Sequence, residues 1–291
     1  MNRQVLFFIP VLALAGVSFG CDDMDVDFGG GSRVEAPFHY SYDFKPGGRL
    51  DLETFNGSVE VRSWDQNKVD ISGVKYANSP ALRDSIRIET NATPGNVTVR
   101  VVRPSEHRGN MGAKFVVRVP RDITLDRITS SNGGLRVEQV NGPVSAHTSN
   151  GAINLTQIQG KVDAETSNGA IEISELTGNA VLNTNNGHIH ADHMVGPVEA
   201  TSSNGDITIA FDKPPASDIH ATTSNSSIEI SMPASSPARI RANTSNGSIT
   251  TDFDVAKQGD ASKNHLEGAV NGGGPLLDLD TSNGSIKITK P

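Results

Sequence analysis

Apolar and polar residues alternate along most of this 291-residue chain, and the alternation keeps step with a recurring Ser-Asn-Gly motif. The motif asparagines stand at Asn132, Asn150, Asn168, Asn186 and Asn204, each 18 residues after the last. Asn225 and Asn246 follow at intervals of 21 and Asn283 after 37, and an earlier copy sits at Asn56. In most copies the positions six and four before the asparagine are apolar, as in Val144 and Ala146 or Val162 and Ala164. The positions three and five after it are apolar too, as in Ile153 and Leu155 or Ile171 and Ile173. Period-two alternation on both sides of a fixed corner predicts two short strands per repeat, each with one buried face. Eight residues after the asparagine Trp64, Val140, Ile158, Leu176 and Met194 turn inward again, and Gly142, Gly160, Gly178 and Gly196 mark a second corner.

Two architectures fit. In a parallel β-solenoid, equivalent strands stack about 4.8 Å apart and the asparagines form a hydrogen-bonded ladder inside a corner. In the alternative, stacked antiparallel β-hairpins, Asn-Gly is a type I′ turn that sets Thr148 opposite Ile153 and Ala146 opposite Leu155. The copy Ser224-Asn225-Ser226-Ser227 replaces glycine with serine, which a type I′ turn resists because both central residues need φ > 0. A hairpin tip also has no use for the preceding Thr/Ser-Ser. The reading is therefore an all-β, right-handed parallel β-solenoid with coils of about 18–21 residues. Residues 38–120 are less regular, with strands expected at Val69–Ile71, Ser85–Ile88, Asn96–Val102 and Lys114–Val119. Residues 121–291 form the regular part, interrupted by a polar, Gly-rich loop at 253–274.

The N-terminus departs from the pattern. Arg3 precedes an almost wholly apolar run from Val5 to Phe19, too short to span a bilayer comfortably. The run ends Ser18-Phe19-Gly20-Cys21, which resembles a bacterial lipoprotein cleavage box with Ser18 where leucine is usual. Residues 1–20 are expected to be a signal peptide and Cys21 the lipidated residue. Residues 21–37, acidic and then Gly-rich, are expected to be a flexible tether. The chain would be exported and held on a bacterial membrane by its lipid, facing periplasm or exterior. Gly16–Gly20 matches the G-x-S-x-G nucleophile pattern but lies in the segment expected to be removed.

Composition narrows the function classes. With 35% hydrophobic residues the chain lacks the apolar runs of a multi-spanning membrane protein, and a single cysteine excludes a disulfide scaffold and Cys-rich zinc modules. A net charge of −8 gives no electrostatic attraction to nucleic acid. No cofactor is called for. His188 and His190 lie two apart on one outward face, with Glu172 and Asp206 as flanking carboxylates, a partial ligand set for zinc. An outward acidic row, Asp51, Glu53, Asp163, Glu165, Glu199, Asp278 and Asp280, suggests Ca²⁺. Ser145, His147, Val181, His220 and Arg241 interrupt it, so it reads as a solvated surface.

A lipoprotein signal is followed by Thr-Ser-Asn-Gly-x-Ile-x-Ile coils and, before the last coil, by the Gly-rich stretch Leu266–Gly274. Together these resemble a bacterial putative-adhesin family of domains of unknown function. The resemblance implies a β-solenoid and brings no catalytic residues. It favours a non-catalytic scaffold or adhesin-like module binding a protein, glycan or envelope polymer. A regulatory accessory lipoprotein with a membrane partner and a polysaccharide-active β-helix enzyme are the alternatives. The last coil, ending at Ile288, has no evident cap. Either the 253–274 loop shields it or chains pair end to end.

Overall fold

The computed structural model describes residues 33–104, 109–257 and 262–291. The signal segment 1–20 and Cys21 lie outside them. The described chain is all-β, a parallel β-solenoid in which each coil gives one strand to each of two long sheets. Strand Val144–Thr148 pairs in parallel with Val162–Thr166, Val144 opposite Val162 through Thr148 opposite Thr166. After the corner, Ile153–Gln159 pairs in parallel with Ile171–Thr177. Because Val144–Thr148 and Ile153–Gln159 belong to different sheets, stacked hairpins are excluded.

The inward positions fill a narrow core. Val144, Ala146, Ile153, Leu155 and Ile158 are each 1% exposed or less. Ile158 joins the core because the strand bends one residue earlier, at Gln157, whose φ is 56°. Gln139, Glu175 and His193 occupy the same position with φ of 60°, 60° and 55°. A left-handed residue other than glycine costs about 1–2 kcal/mol, and here it re-aims the next apolar side chain inward. Nothing in the residue types announced this bend.

The Ser-Asn-Gly corner needs its glycine for a different reason from the one a hairpin would give. Of the motif glycines, only Gly57 has a positive φ. At Gly151 a Cβ would instead collide with the carbonyl oxygen of Gly133 one coil away, and at Gly169 with that of Gly151. The same carbonyls are satisfied from inside. Thr148 Oγ1 donates to Gly133 O, Thr166 Oγ1 to Gly151 O and Thr184 Oγ1 to Gly169 O, each at 3.0 Å. These hydroxyls belong to a buried column with Ser130, Ser202, Thr223, Thr244 and Thr281. Thr166→Val keeps the shape and orphans the Gly151 carbonyl. A loss of about 1–3 kcal/mol in urea unfolding is expected, and no loss would show that water replaces the hydroxyl.

At both ends, spatial order departs from chain order. Arg49–Asn56 lies between Asn96–Val102 and Thr124–Asn132, so the first coil is flanked by two later ones. Val59–Trp64 likewise lies between Met111–Pro120 and Leu135–Asn141. Antiparallel strands extend this end: Arg87–Thr93 on Asn96–Val102, Lys68–Ala77 on Met111–Pro120, and Val34–Asp43 outermost. The structure corrects two sequence expectations here. The strand beginning at Val34 enters the segment expected to be tether, because Phe38, Tyr40 and Tyr42 alternate onto the core. Ser85 ends a short helix, Pro80–Ser85, capped by Ser79 Oγ accepting from Leu82 N at 3.3 Å, so the strand starts only at Arg87.

At the other end Leu276–Thr281 is wedged between Ile219–Thr223 and Ala238–Thr244. Ile286–Thr289 sits between Ile228–Ser231 and Ile249–Thr251. The coil ending near Ile288 is therefore internal. The coil left outermost is covered over one sheet by the 253–274 insertion, whose strand His265–Val270 pairs antiparallel with Ala238–Thr244. Ala256–Lys257 pairs beyond it.

Candidate functional surface

The asparagines form a column of side-chain hydrogen bonds. Asn150 Nδ2 donates to Asn132 Oδ1 at 2.7 Å, and the pattern repeats through Asn168, Asn186, Asn204 and Asn225 at 2.7–2.8 Å. Asn132 donates to Asn56 at one end. At the other, Asn283 donates to Asn225 and Asn246 to Asn283, in the spatial order of the coils. The column is not interior, as the sequence reading had it. Asn132, Asn150, Asn168, Asn186, Asn204, Asn225, Asn246 and Asn283 are exposed, and Asn56 is half-buried. The inner place belongs to the Thr/Ser column, since one hydroxyl meets one carbonyl whereas a buried amide would have two donors and two lone pairs to satisfy. Outside, water takes what the ladder leaves.

The proposed metal ligands do not close into a site. His188 Nε2 lies 3.7 Å from Glu172 Oε1. His190 stands in register with Glu172 and Thr208, but its Nε2 is 4.0 Å from Asp192. Asp206 accepts from the Ser227 backbone N–H at 3.0 Å instead. Among the described residues no group of three or more His, Cys, Asp or Glu is placed to hold a metal. Strand spacing sets these side chains side by side along the surface without converging them on one point.

The acidic row is broken into ion pairs. The wedged coil sets Asp278 between Arg241 and His220. Arg241 Nε donates to Asp278 Oδ1 at 2.7 Å, and His220 Nδ1 lies 3.3 Å from Oδ2. Asp280 accepts from Asn243 Nδ2 at 3.0 Å. The Arg241 hydrogen bond foremost, and then its charge, hold the Asp278 carboxyl below the usual carboxylate range against the opposing effect of burial. A carboxylate depressed in the folded state adds stability above its unfolded pKa of about 3.9, and that stability is lost as pH falls through the folded value. Asp278→Asn is expected to lower Tm at neutral pH and to flatten the acid limb below about pH 4. Parallel curves for variant and wild type would refute the assignment.

The sequence reading missed a second exposed column. Gln139 Nε2 donates to Gln157 Oε1 at 3.0 Å and Gln157 Nε2 to Glu175 Oε2 at 3.1 Å, all at the left-handed bend. With Arg121 and His193 they line an open polar groove of about 470 Å³. The only signal for it was the 18-residue spacing, carried by residue types that vary.

A family model, Toastrack DUF4097, matches residues 48–289. The chain belongs to this family. The Toastrack match opens just before strand Arg49–Asn56 and closes at the end of Ile286–Thr289, so it includes the out-of-order coils at both ends and leaves out Val34–Asp43. A putative adhesin from Bacteroides fragilis is similar over 87% of this chain and 97% of its own, at 15% identity and TM-score 0.47. A putative adhesin from Parabacteroides merdae shares 9% identity over 88% of this chain and 96% of its own, with TM-score 0.37. A putative lipid binding protein from Parabacteroides distasonis shares 13% identity over the same shares of the two chains, with TM-score 0.36. No curated protein matches. The Toastrack family has no assigned function. Among the described residues no helix is long and apolar enough to cross a membrane.

Proposed function

We propose that the chain is a non-catalytic envelope lipoprotein, anchored through Cys21, whose solenoid presents its outer faces to a protein, glycan or envelope polymer. The observation that carries this reading is the register of the outward side chains. Across coils Ser145 stands beside Asp163, Asp163 beside Val181, Val181 beside Glu199 and Glu199 beside His220. A frame held by a hydroxyl column inside and an amide column outside fixes such rows, so many weak polar contacts can form with little ordering cost. Repetition of this kind builds surface. In the test, the mature chain is immobilised at its N-terminus and offered solubilised envelope and purified envelope glycans. Saturable retention of a defined component is expected. Turnover of a uronate-rich polysaccharide by the purified chain would overturn the non-catalytic reading. Radiolabelled fatty acid incorporated by wild type and not by Cys21→Ser checks the anchor.

A further inference from the structure

Two adjoining coils each depart from the repeat, the first at Phe55 and its neighbour by a bulge in Thr124–Asn132. The residue before the ladder asparagine is Ser or Asn in every other copy, yet in the first it is Phe55. Phe55 is half-buried and lines a cavity of about 400 Å³ on the outer face of its sheet, with Glu53, Glu89, Arg100 and Arg103. A second cavity of about 290 Å³ shares Glu53 and Arg100 with the first and runs on to Asp51, Asp126 and Arg127. The other departure is a β-bulge. The register against Arg49–Asn56 shifts between the pairs Leu50–Leu125 and Asp51–Arg127, so Asp126 and Arg127 are both exposed where strict alternation would hide one. Bulges re-aim side chains in this way beside functional sites.

The groups brought together are chemically mixed. Arg100 Nε lies 3.4 Å from Glu53, and Arg49 Nη1 lies 3.0 Å from Asp126. Burial first, then the neighbouring Asp126, push the Asp51 carboxyl up against the pull of Arg49 and Arg127. The cavities hold four carboxylates and three guanidinium groups, and Arg49 makes the charges balance. A balanced site offers no net field for a free anion or a polyanion. The strand bearing Asp51, Glu53 and Phe55 is hydrogen-bonded on both sides, so no backbone edge is open to an extended peptide. An acyl chain would have to desolvate the eight charged side chains gathered here without pairing them.

A sugar ring fits all three features. Its hydroxyls donate to carboxylates and accept from guanidinium groups, and its C–H face covers an aromatic ring. The exposed Arg103 side chain lies over the Phe55 ring, and a sugar would take that face as Arg103 swings toward a hydroxyl. The Arg103 guanidinium lies 5.6 Å from the ring centroid, whereas Arg33 closes on Tyr76 at 3.7 Å. The first cavity alone lies within the range of small-molecule sites, about 300–1,000 Å³. We propose that these joined cavities form a saccharide-binding site, the place where the module holds a short carbohydrate segment. This rests on the binding-module reading and adds the ligand class and the site.

Phe55→Ser is the decisive variant, because it restores the residue that most other coils carry there; Phe55 also packs against the core, so the variant's Tm is measured beside its affinity. Wild-type mature chain, Phe55→Ser, Glu53→Gln and Glu165→Gln are titrated against oligosaccharides of two to six units, with and without uronic acids. Circular dichroism and Tm confirm folding. Wild type is expected to bind at least one member. Phe55→Ser and Glu53→Gln should weaken that binding tenfold or more, while Glu165→Gln, outside the cavities, leaves it unchanged. Full affinity in folded Phe55→Ser overturns the site. No saccharide bound by wild type overturns the ligand class. If an envelope protein is still retained equally by wild type and Phe55→Ser, the broader module reading survives that failure.

Discussion

Gly169→Ala should destabilise the solenoid by about 2–4 kcal/mol, far more than an exposed-corner substitution would suggest. The residue is not in a left-handed conformation, so backbone preference does not carry the cost. The added Cβ would run into the Gly151 carbonyl oxygen, which also accepts the Thr166 hydroxyl. Relief requires the two coils to separate. Separation weakens the Asn168–Asn150 bond at 2.8 Å and the parallel pairing of Ile153 with Ile171. Ser226 stands in the equivalent place of another coil with the Asn225–Asn204 bond still at 2.8 Å, so the expectation is for a corner whose backbone stays as Gly169 has it. Urea unfolding of the mature chain measures it. A change under about 0.5 kcal/mol, the size of an ordinary surface substitution, would mean that the coils have room the geometry denies.

The second large effect comes from ending the chain after Gly274. The segment removed is a wedge, since Leu277, Leu279, Ile286 and Ile288 are all buried and their strands pair on both sides. Each such side chain contributes about 1.5–3 kcal/mol on burial, and its loss also leaves the coil at 238–251 without a neighbour in register. Arg241 and His220 lose Asp278 as well. Limited proteolysis should cut the truncated chain rapidly between about 232 and 274. Amide exchange in the coils from 144 to 210 should stay slow, because in a solenoid each coil depends mainly on its neighbours. Uniform loss of protection along the whole rod would show global cooperativity instead.

These two cases mark how far the sequence could be read. The inward residues of every regular coil were legible, because period-two alternation is dictated by the strand itself. The choice of solenoid over hairpins turned on Ser226, a residue incompatible with one turn type. The placing of the asparagines failed because a corner has no alternation to read. In the structure Thr166 and its equivalents take the inside. The coil order failed for a related reason: each coil presents much the same edges, so the pattern of strands does not say which two will meet. The interval of 37 before Asn283 and the charge match of Arg241, His220 and Asp278 were the available hints. At the Phe55 coil, breaking the repeat was itself the signal, and it was visible only as one missing serine.

The amide column also governs how the protein ages. Asn-Gly is the dipeptide most prone to deamidation, in which the glycine nitrogen attacks the side-chain carbonyl carbon and ammonia leaves through a cyclic imide. In Asn150, Asn168, Asn186 and Asn204 that carbonyl oxygen is held by the next amide and the nitrogen by the previous one, which opposes ring closure. Asn246 stands at the end of the column, donating to Asn283, and among the described residues no amide donates to its side-chain carbonyl oxygen. Within the column, peptide mapping of long-incubated protein should find the first aspartate and isoaspartate there, and conversion should then spread inward as each neighbour loses its restraint.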